Sequence, residues 1–101
     1  MTLRKLLKEV RGFDWDQGNT DKNFREHGVF AKEGEEVFFN EPSILFEDEK
    51  HSKKEKRYGI FGITSQKRKL TIIFTIRNKQ IRIISARNMS QKERRSNEQK
   101  T

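Results

Sequence analysis

The residues whose types and spacing suit them to chemistry lie between Arg57 and Arg87. An apolar run, Leu70-Thr-Ile-Ile-Phe-Thr-Ile-Arg77, leads through Asn78-Lys79 into Gln80-Ile-Arg-Ile-Ile-Ser-Ala-Arg87. Both runs have the β-branched, apolar character of strands, and an arginine inside a strand is costly to desolvate without a counter-charge. Arg82 therefore calls for an anion. With 23 Lys and Arg against 15 Asp and Glu, the expected anion is a phosphate. The competing reading is an ordinary surface arginine or an internal ion pair with Glu33 or Glu55. A guanidinium grips two phosphate oxygens at once and stays charged at any working pH. Arg82 and Arg87 are the first choices for that role, and Arg57, at the head of the preceding strand, is the third.

Groups able to move a proton are few. The chain has no cysteine and two histidines, His27 and His51, which do not stand at a two-ligand helical spacing. Disulfides and thiolate metal sites are excluded, and neither metal nor cofactor is expected. His27 can take or give a proton near neutral pH, although a histidine just before a glycine also reads as a helix-terminal group favoured by the dipole. Glu33 is the acidic alternative. His51 stands with Ser52 and Glu55 in a polar run, as a nucleic-acid contact or as a local hydrogen-bonding group. Tyr58 points to the face opposite Arg57 and is either a stacking platform for a base or a rim residue. The basic stretches Arg4 to Arg11 and Lys92 to Lys100, with Lys92, Arg94 and Arg95, attract a polyanion without specificity or offer a docking surface to an acidic protein.

These groups need a scaffold. A chain of 101 residues makes one domain. Only 31% of it is hydrophobic and 38% is charged, but the apolar residues cluster and include eight phenylalanines, which argues for a compact core with charged extensions. No window approaches the roughly 18 apolar residues that span a bilayer. The first residues are too charged for a signal peptide, so a cytoplasmic location without membrane contact is expected. Residues 1–12 form a basic amphipathic extension, and Phe13-Asp14-Trp15 reads as a short strand. Asp16 caps a helix that stops at Gly28, and a second helix covers about Ala31 to Phe39, weakened at Gly34 by about 1 kcal/mol relative to alanine. A strand at Ser43 to Phe46 and a polar connection from Glu47 to Lys56 lead into the meander, where Gly59 and Gly62 mark a bulge or a close backbone approach.

An Asn78-Lys79 turn pairs Phe74 with Ile83, Thr75 with Arg82 and Leu70 with Arg87. Alternation then sends Leu70, Ile72, Phe74, Ile76, Ile81 and Ile83 to one face, and Arg82 with Thr75, Ile73 and Ile84 to the other. Arg87 has the opposite parity and joins Arg82 only if it lies past the strand end. Ser90 caps a final basic helix that is either exposed or held by a partner.

Several ordered pieces resemble one family. Phe13-Asp-Trp-Asp, Asn23-x-x-x-His27-Gly28-Val29, Val37-Phe38, His51-Ser52-x-x-Glu55-x-Arg57-Tyr58 and Arg82-Ile-Ile-Ser-Ala-Arg87 with its basic tail are similar to the BrnT family of toxins, over roughly residues 13–95. The chain departs from the usual pattern at Glu26, where lysine is common before His-Gly, and at Phe30-Ala-Lys-Glu-Gly34. The resemblance implies an α+β, RelE-like domain over 13–90. Its small antiparallel sheet of three to four strands would pack against two N-terminal helices, flanked by the 1–12 extension and a 91–101 helix or tail. It also implies a ribonuclease that cleaves RNA and blocks translation. A small BrnA-like antitoxin of ribbon-helix-helix type would silence it in a hetero-oligomer that reaches operator DNA through the antitoxin.

Metal-free RNA cleavage needs a group to take the 2′-hydroxyl proton, cations for the phosphorane charge, and a proton for the leaving 5′-oxygen. His27 or Glu33 is expected to carry the proton, while Arg57, Arg82 and Arg87 hold charge. Tyr58, His51, Lys92, Arg94 and Arg95 are expected to contact RNA. The alternative is a non-catalytic nucleic-acid-binding or co-repressor subunit.

Overall fold

The computed structural model describes residues 2–100, with Gln99 and Lys100 described by backbone alone; Met1 and Thr101, the ends of the two basic extensions, lie outside the described residues. In chain order the elements are α1 (Leu3–Leu6), β1 (Gly12–Phe13), α2 (Gln17–His27), α3 (Ala31–Val37), β2 (Ile44–Glu47), β3 (Tyr58–Ile63), β4 (Lys69–Arg77), β5 (Gln80–Asn88) and α4 (Gln91–Lys100). The strands form one sheet in the order β1-β5-β4-β3-β2. The class is α+β, but the sheet has five strands and is mixed, which corrects the expected three to four antiparallel ones. The extra strand is β1, which runs parallel to β5 through Gly12↔Gln80 and Phe13↔Ile81. Hydrogen bonds from Arg11 N–H to the Lys79 carbonyl and from Asp14 N–H to the Ile81 carbonyl, both 2.8 Å, extend the pairing. In the N-terminal stretch, Leu3, Leu6, Leu7 and Val10 are partly buried and pack against the core.

Local chemistry sets the helix ends. The Asp16 carboxylate accepts the Asn19 N–H at 2.7 Å to open α2, and Gly28, at φ +65°, closes it in the left-handed conformation. The α2 helix lies along β5 and covers the strand edge that β1 leaves bare. Asn23, 2% exposed, accepts the Ala86 N–H at 3.1 Å and donates to the Asn19 carbonyl, while the Asn19 amide donates to the Ile83 carbonyl. Two asparagine side chains thus do for β5 what a neighbouring strand would do.

The helices α2 and α3 cover one face of the sheet. Leu70, Ile72, Phe74, Ile81 and Ile83 are buried there as the alternation predicts, with Val29, Val37 and Phe38 above them. The Phe38 ring meets Phe74 edge-on at 4.9 Å between centroids. Gly34 has a use: a Cβ there would stand 3.2 Å from Ile83 Cδ1, so the bare backbone seats α3 close on β5. Gly59 and Gly62 are close approaches too, the first beneath the Phe46 ring and the second beneath Val37. A Cβ on Gly62 would come within 2.6 Å of Val37 Cγ1, in a fully buried contact. Gly62→Ala should therefore cost about 1–3 kcal/mol by overpacking, read as a lowered urea midpoint.

The meander has a true bulge elsewhere. Asn78 and Lys79 both sit at positive φ, the type I′ geometry, and set Arg77↔Gln80, Thr75↔Arg82 and Phe74↔Ile83 as expected. Beyond Phe74 the register shifts: Ile73 pairs with Ser85, Thr71 with Arg87 and Leu70 with Asn88, leaving Ile84 as the extra residue. The expected Leu70–Arg87 pairing is corrected, and the parity of Arg87 flips. Arg82 and Arg87 emerge on the same face, the one that α2 and α3 leave open. Among the described residues no helix is long and apolar enough to cross a membrane.

Candidate nucleic-acid interface

On this face, partly closed by α4 and the segment before β3, the buried side chains of Thr71 and Thr75 and that of Ile73 run down β4, with Arg87, Ser85 and Arg82 beside them on β5. Arg57 stands one residue before the Tyr58↔Phe74 pair, so its parity places it in the same row as Thr75 and Arg82. Thr75 ties that row together by donating its hydroxyl to the Lys56 carbonyl at 2.7 Å. The β4 partners of Arg82 and Arg87, Thr75 and Thr71, lie four residues apart, about 13 Å along the sheet.

Two of these arginines meet carboxylates rather than open solvent. Arg82 reaches Asp16 at 2.6 Å and Asp14 at 3.6 Å. Arg87 forms a two-pronged pair with Glu93 of α4, at 2.8 and 3.0 Å. The Arg82 hydrogen bond, then the Asn19 N–H, hold the Asp16 carboxyl below its usual range. The expectation that Arg82 and Arg87 wait unpaired for phosphate is thereby corrected: each has an internal partner. Neither partner is Glu33 or Glu55, the acids considered from sequence.

Glu93 also explains why so polar a helix is ordered. Its carboxylate accepts the Thr71 hydroxyl and the Ser90 N–H, while Ser90 Oγ accepts the Glu93 N–H. Lys69 pairs with Glu98, and Asn97 lies on Met89. The Arg87 hydrogen bond first, with smaller help from Ser90 and Thr71, brings the Glu93 carboxyl from 4.5 down to about 2 against the opposing effect of burial. A carboxyl lowered by folding stabilises above its unfolded value and loses that contribution as pH falls through its folded one. Docking of α4 should therefore persist above about pH 4.5 and fail progressively towards pH 2. Amide NMR shifts of residues 91–98 and Thr71 followed by acid titration check this, and Glu93→Gln should abolish that pH dependence.

The open cations lie at the other end of the face. His51, Lys53, Lys54, Glu55, Arg57 and Arg77 line a cleft of about 590 Å³. Arg77 holds Glu55 through two hydrogen bonds, at 2.8 and 2.7 Å. The Glu55 carboxyl is lowered by Arg77 first, and further by the charges of Arg57 and Arg82, so three guanidiniums surround one acid. The side chains of Lys53, Lys54 and Arg57 have no ion-pair partner among the described residues. A short 3-10 turn, Glu49–His51, carries the imidazole. Ser52 rivets that turn to the head of β3: its hydroxyl bonds to the Asp48 carbonyl at 2.6 Å and the Arg57 carbonyl at 3.3 Å, and accepts the Arg57 N–H at 2.9 Å.

The remaining expected site residues fall elsewhere. Tyr58 is 9% exposed, with its ring 5.6 Å from Phe74 inside the core, so the expected base-stacking surface is not available. Strand alternation puts Tyr58 on the helix-covered face, where the apolar body of its ring is buried. His27 ends α2, where its carbonyl accepts from Arg68 at 3.2 Å. The Glu33 carboxylate accepts the Phe30 N–H at 3.1 Å and pairs with Arg68 at 3.1 Å. Lys92, Arg94 and Arg95 are exposed on α4.

Arg68 was missed by sequence reasoning, although it does more than any other cation for the helix layer. It binds Glu33, the carbonyls of Gly28 and His27, and Asn88 Oδ1 at 2.8 Å, closing the C-terminal end of α2 against the sheet. Its place in a turn, among other basic residues, gave no signal of this. Asp48 was missed as well, though a carboxylate three residues before His51 on a helical turn was the available cue.

A basic cleft at the head of β3, with guanidinium and ammonium groups free of ion pairs among the described residues beside an imidazole, has the charge to receive an anion such as a phosphate. Residues 15–93 match the family described as ribonuclease toxin, BrnT, of type II toxin-antitoxin system. The chain belongs to that family. None of the curated proteins compared with it matches the chain.

Proposed function

We propose that the chain is a cytoplasmic endoribonuclease toxin that cuts RNA without a metal, in-line, through attack of the 2′-hydroxyl on the adjacent phosphorus, and so blocks translation. The observation that carries the reading is the cleft that groups Lys53, Lys54 and Arg57, all free of ion pairs among the described residues, with Arg77 and His51. Arg57 takes the phosphate undergoing cleavage, because its fork can engage two oxygens whose charge grows in the phosphorane. Arg82, in the same row, contributes charge once a phosphate competes with Asp14 and Asp16. Arg87 and the exposed Lys92, Arg94 and Arg95 steer the strand along the open face. A RelE-like likeness of the sheet-and-helix plan fits this use of the face. The family's description as part of a type II system supports an antitoxin partner, and a BrnA-like ribbon-helix-helix protein covering the basic face would both silence the toxin and bring it to operator DNA.

A second reading, a nucleic-acid-binding co-repressor without catalysis, gains from the internal pairing of Arg82 and Arg87. One experiment separates them. The purified chain is incubated with an RNA oligonucleotide, with and without chelator, and product ends are read by mass. Ends carrying a 2′,3′-cyclic phosphate, formed equally in chelator, support the ribonuclease. Intact RNA that is nonetheless bound favours the co-repressor.

A further inference from the structure

One residue of the cleft, His51, is paired with a carboxylate outside its lining. His51 Nδ1 faces both oxygens of the Asp48 carboxylate, at 3.1 and 3.0 Å. A carboxylate only accepts, so the neutral imidazole carries its hydrogen on Nδ1 and leaves Nε2 bare. The His51 side chain is 57% exposed and that of Asp48 is 15% exposed, so the acceptor is sheltered and the working nitrogen is reachable. The pair is also fixed in place. His51 N–H bonds to the Asp48 carbonyl and Asp48 N–H to the Arg57 carbonyl at 2.9 Å, which couples the imidazole to the residue bearing the free guanidinium. His27 and Glu33 lack this combination: one closes α2, and the other is committed to Arg68 and the Phe30 N–H.

We infer that His51 is the general base of the cleft and that Asp48 is its positioning residue. The inference rests on the ribonuclease reading above. Nε2 takes the 2′-hydroxyl proton as the 2′-oxygen bonds to phosphorus. The bond from phosphorus to the 5′-oxygen breaks, that oxygen leaves with a proton from solvent water, and the imidazolium returns its own proton to solvent. No redox change occurs, and the strand is left with a 2′,3′-cyclic phosphate. The charged groups facing the imidazole are Asp48 from its own turn, Lys53, Lys54 and Glu55 from the following loop, Arg57 from the head of β3 and Arg77 from the end of β4.

The test compares the full wild-type chain with His51→Ala, Asp48→Asn and Asp48→Glu on one RNA oligonucleotide. His51→Ala should lower kcat about 10²–10⁴-fold, the usual worth of a positioned base, with KM little changed and part of the rate restored by imidazole added to solution. Asp48→Asn should also lower kcat, by up to about 10⁴-fold as in a mis-held Ser-His-Asp triad, and Asp48→Glu should recover much of it. Nitrogen-15 shifts of His51 should report hydrogen on Nδ1 in the wild type and a mixture of tautomers in Asp48→Asn. Wild-type kcat in a folded His51→Ala chain, or hydrogen chiefly on Nε2 in the wild type, overturns this inference and leaves the ribonuclease reading standing. A wild-type chain that binds RNA but never cuts it overturns both.

Discussion

Arg57→Ala is expected to lower kcat/KM for RNA by about 10²–10³-fold, the loss typical when one preorganised transition-state donor is removed, with little change in stability. The two halves of that expectation have separate causes. The Arg57 side chain makes no ion pair among the described residues, so the fold does not depend on its charge. Its backbone accepts from Asp48 N–H and Ser52 Oγ and donates to Ser52 Oγ, and alanine keeps all three. Arg57→Lys should fall between, because an ammonium supplies charge without the two-pronged fork. Arg82→Ala should behave differently: it removes the tie between β5 and Asp14 and Asp16 at the start of α2, so its rate loss should come with a lower urea midpoint. Steady-state kinetics paired with urea unfolding on the three variants checks the contrast. Full activity in Arg57→Ala would remove the free guanidinium from the mechanism.

The largest effect on stability outside the apolar core is expected at Asn23. Asn23→Ala should destabilise by about 1–3 kcal/mol, the desolvation penalty of a buried group left without its partner. The orphaned group is the Ala86 N–H, whose acceptor is Asn23 Oδ1 at 3.1 Å. The loss should spread, because Asn23 also holds Asn19 through its carbonyl and its side chain, and Asn19 in turn caps the Ile83 carbonyl. Asn23→Asp keeps an acceptor for Ala86 but surrenders the donor and buries a charge, so it should not rescue the fold. Urea unfolding gives the magnitude, and hydrogen exchange at Ala86 gives the location. A wild-type midpoint for Asn23→Ala would contradict the role assigned to α2 as the cover of β5.

What could be read from the chain, and what could not, divides along the range of the interactions. Asp16 and Gly28 announced α2 because capping and left-handed termination act within one helical turn. The Asn78-Lys79 hairpin and the buried alternation of Leu70, Ile72 and Phe74 were likewise local. Ile84 was invisible as a bulge: it is one more β-branched residue in an apolar run, yet one inserted residue sends every later side chain to the other face. That slip is what puts Arg87 beside Arg82. β1 is two residues long: Phe13-Asp14-Trp15 suggested a short strand, but nothing local told that it would run parallel to β5.

For the site, the sequence grouped Arg57 with Arg82 and Arg87 as holders of charge and left His51 in a polar run; the acids it considered as their partners are not the ones they meet. The need for an anion at Arg82 was sound physics, and Asp14 and Asp16 supply one, Asp16 from 66 residues away in the chain. Glu33 and Glu55, the acids proposed from sequence, pair instead with Arg68 and Arg77. Tyr58 was read as a base platform or a rim residue at the head of a strand, whereas register with Phe74 fixes it inward.

The account stands on an RNA phosphate lying in the cleft between the His51 turn and Arg57. The most direct measurement is an NMR titration of the labelled chain with an RNA oligonucleotide made uncleavable by 2′-deoxy substitution. The account predicts saturable shifts at His51, Lys53, Lys54, Arg57, Arg77 and Arg82. Shifts confined to α2 and α3, with the cleft residues unmoved at saturation, would contradict it.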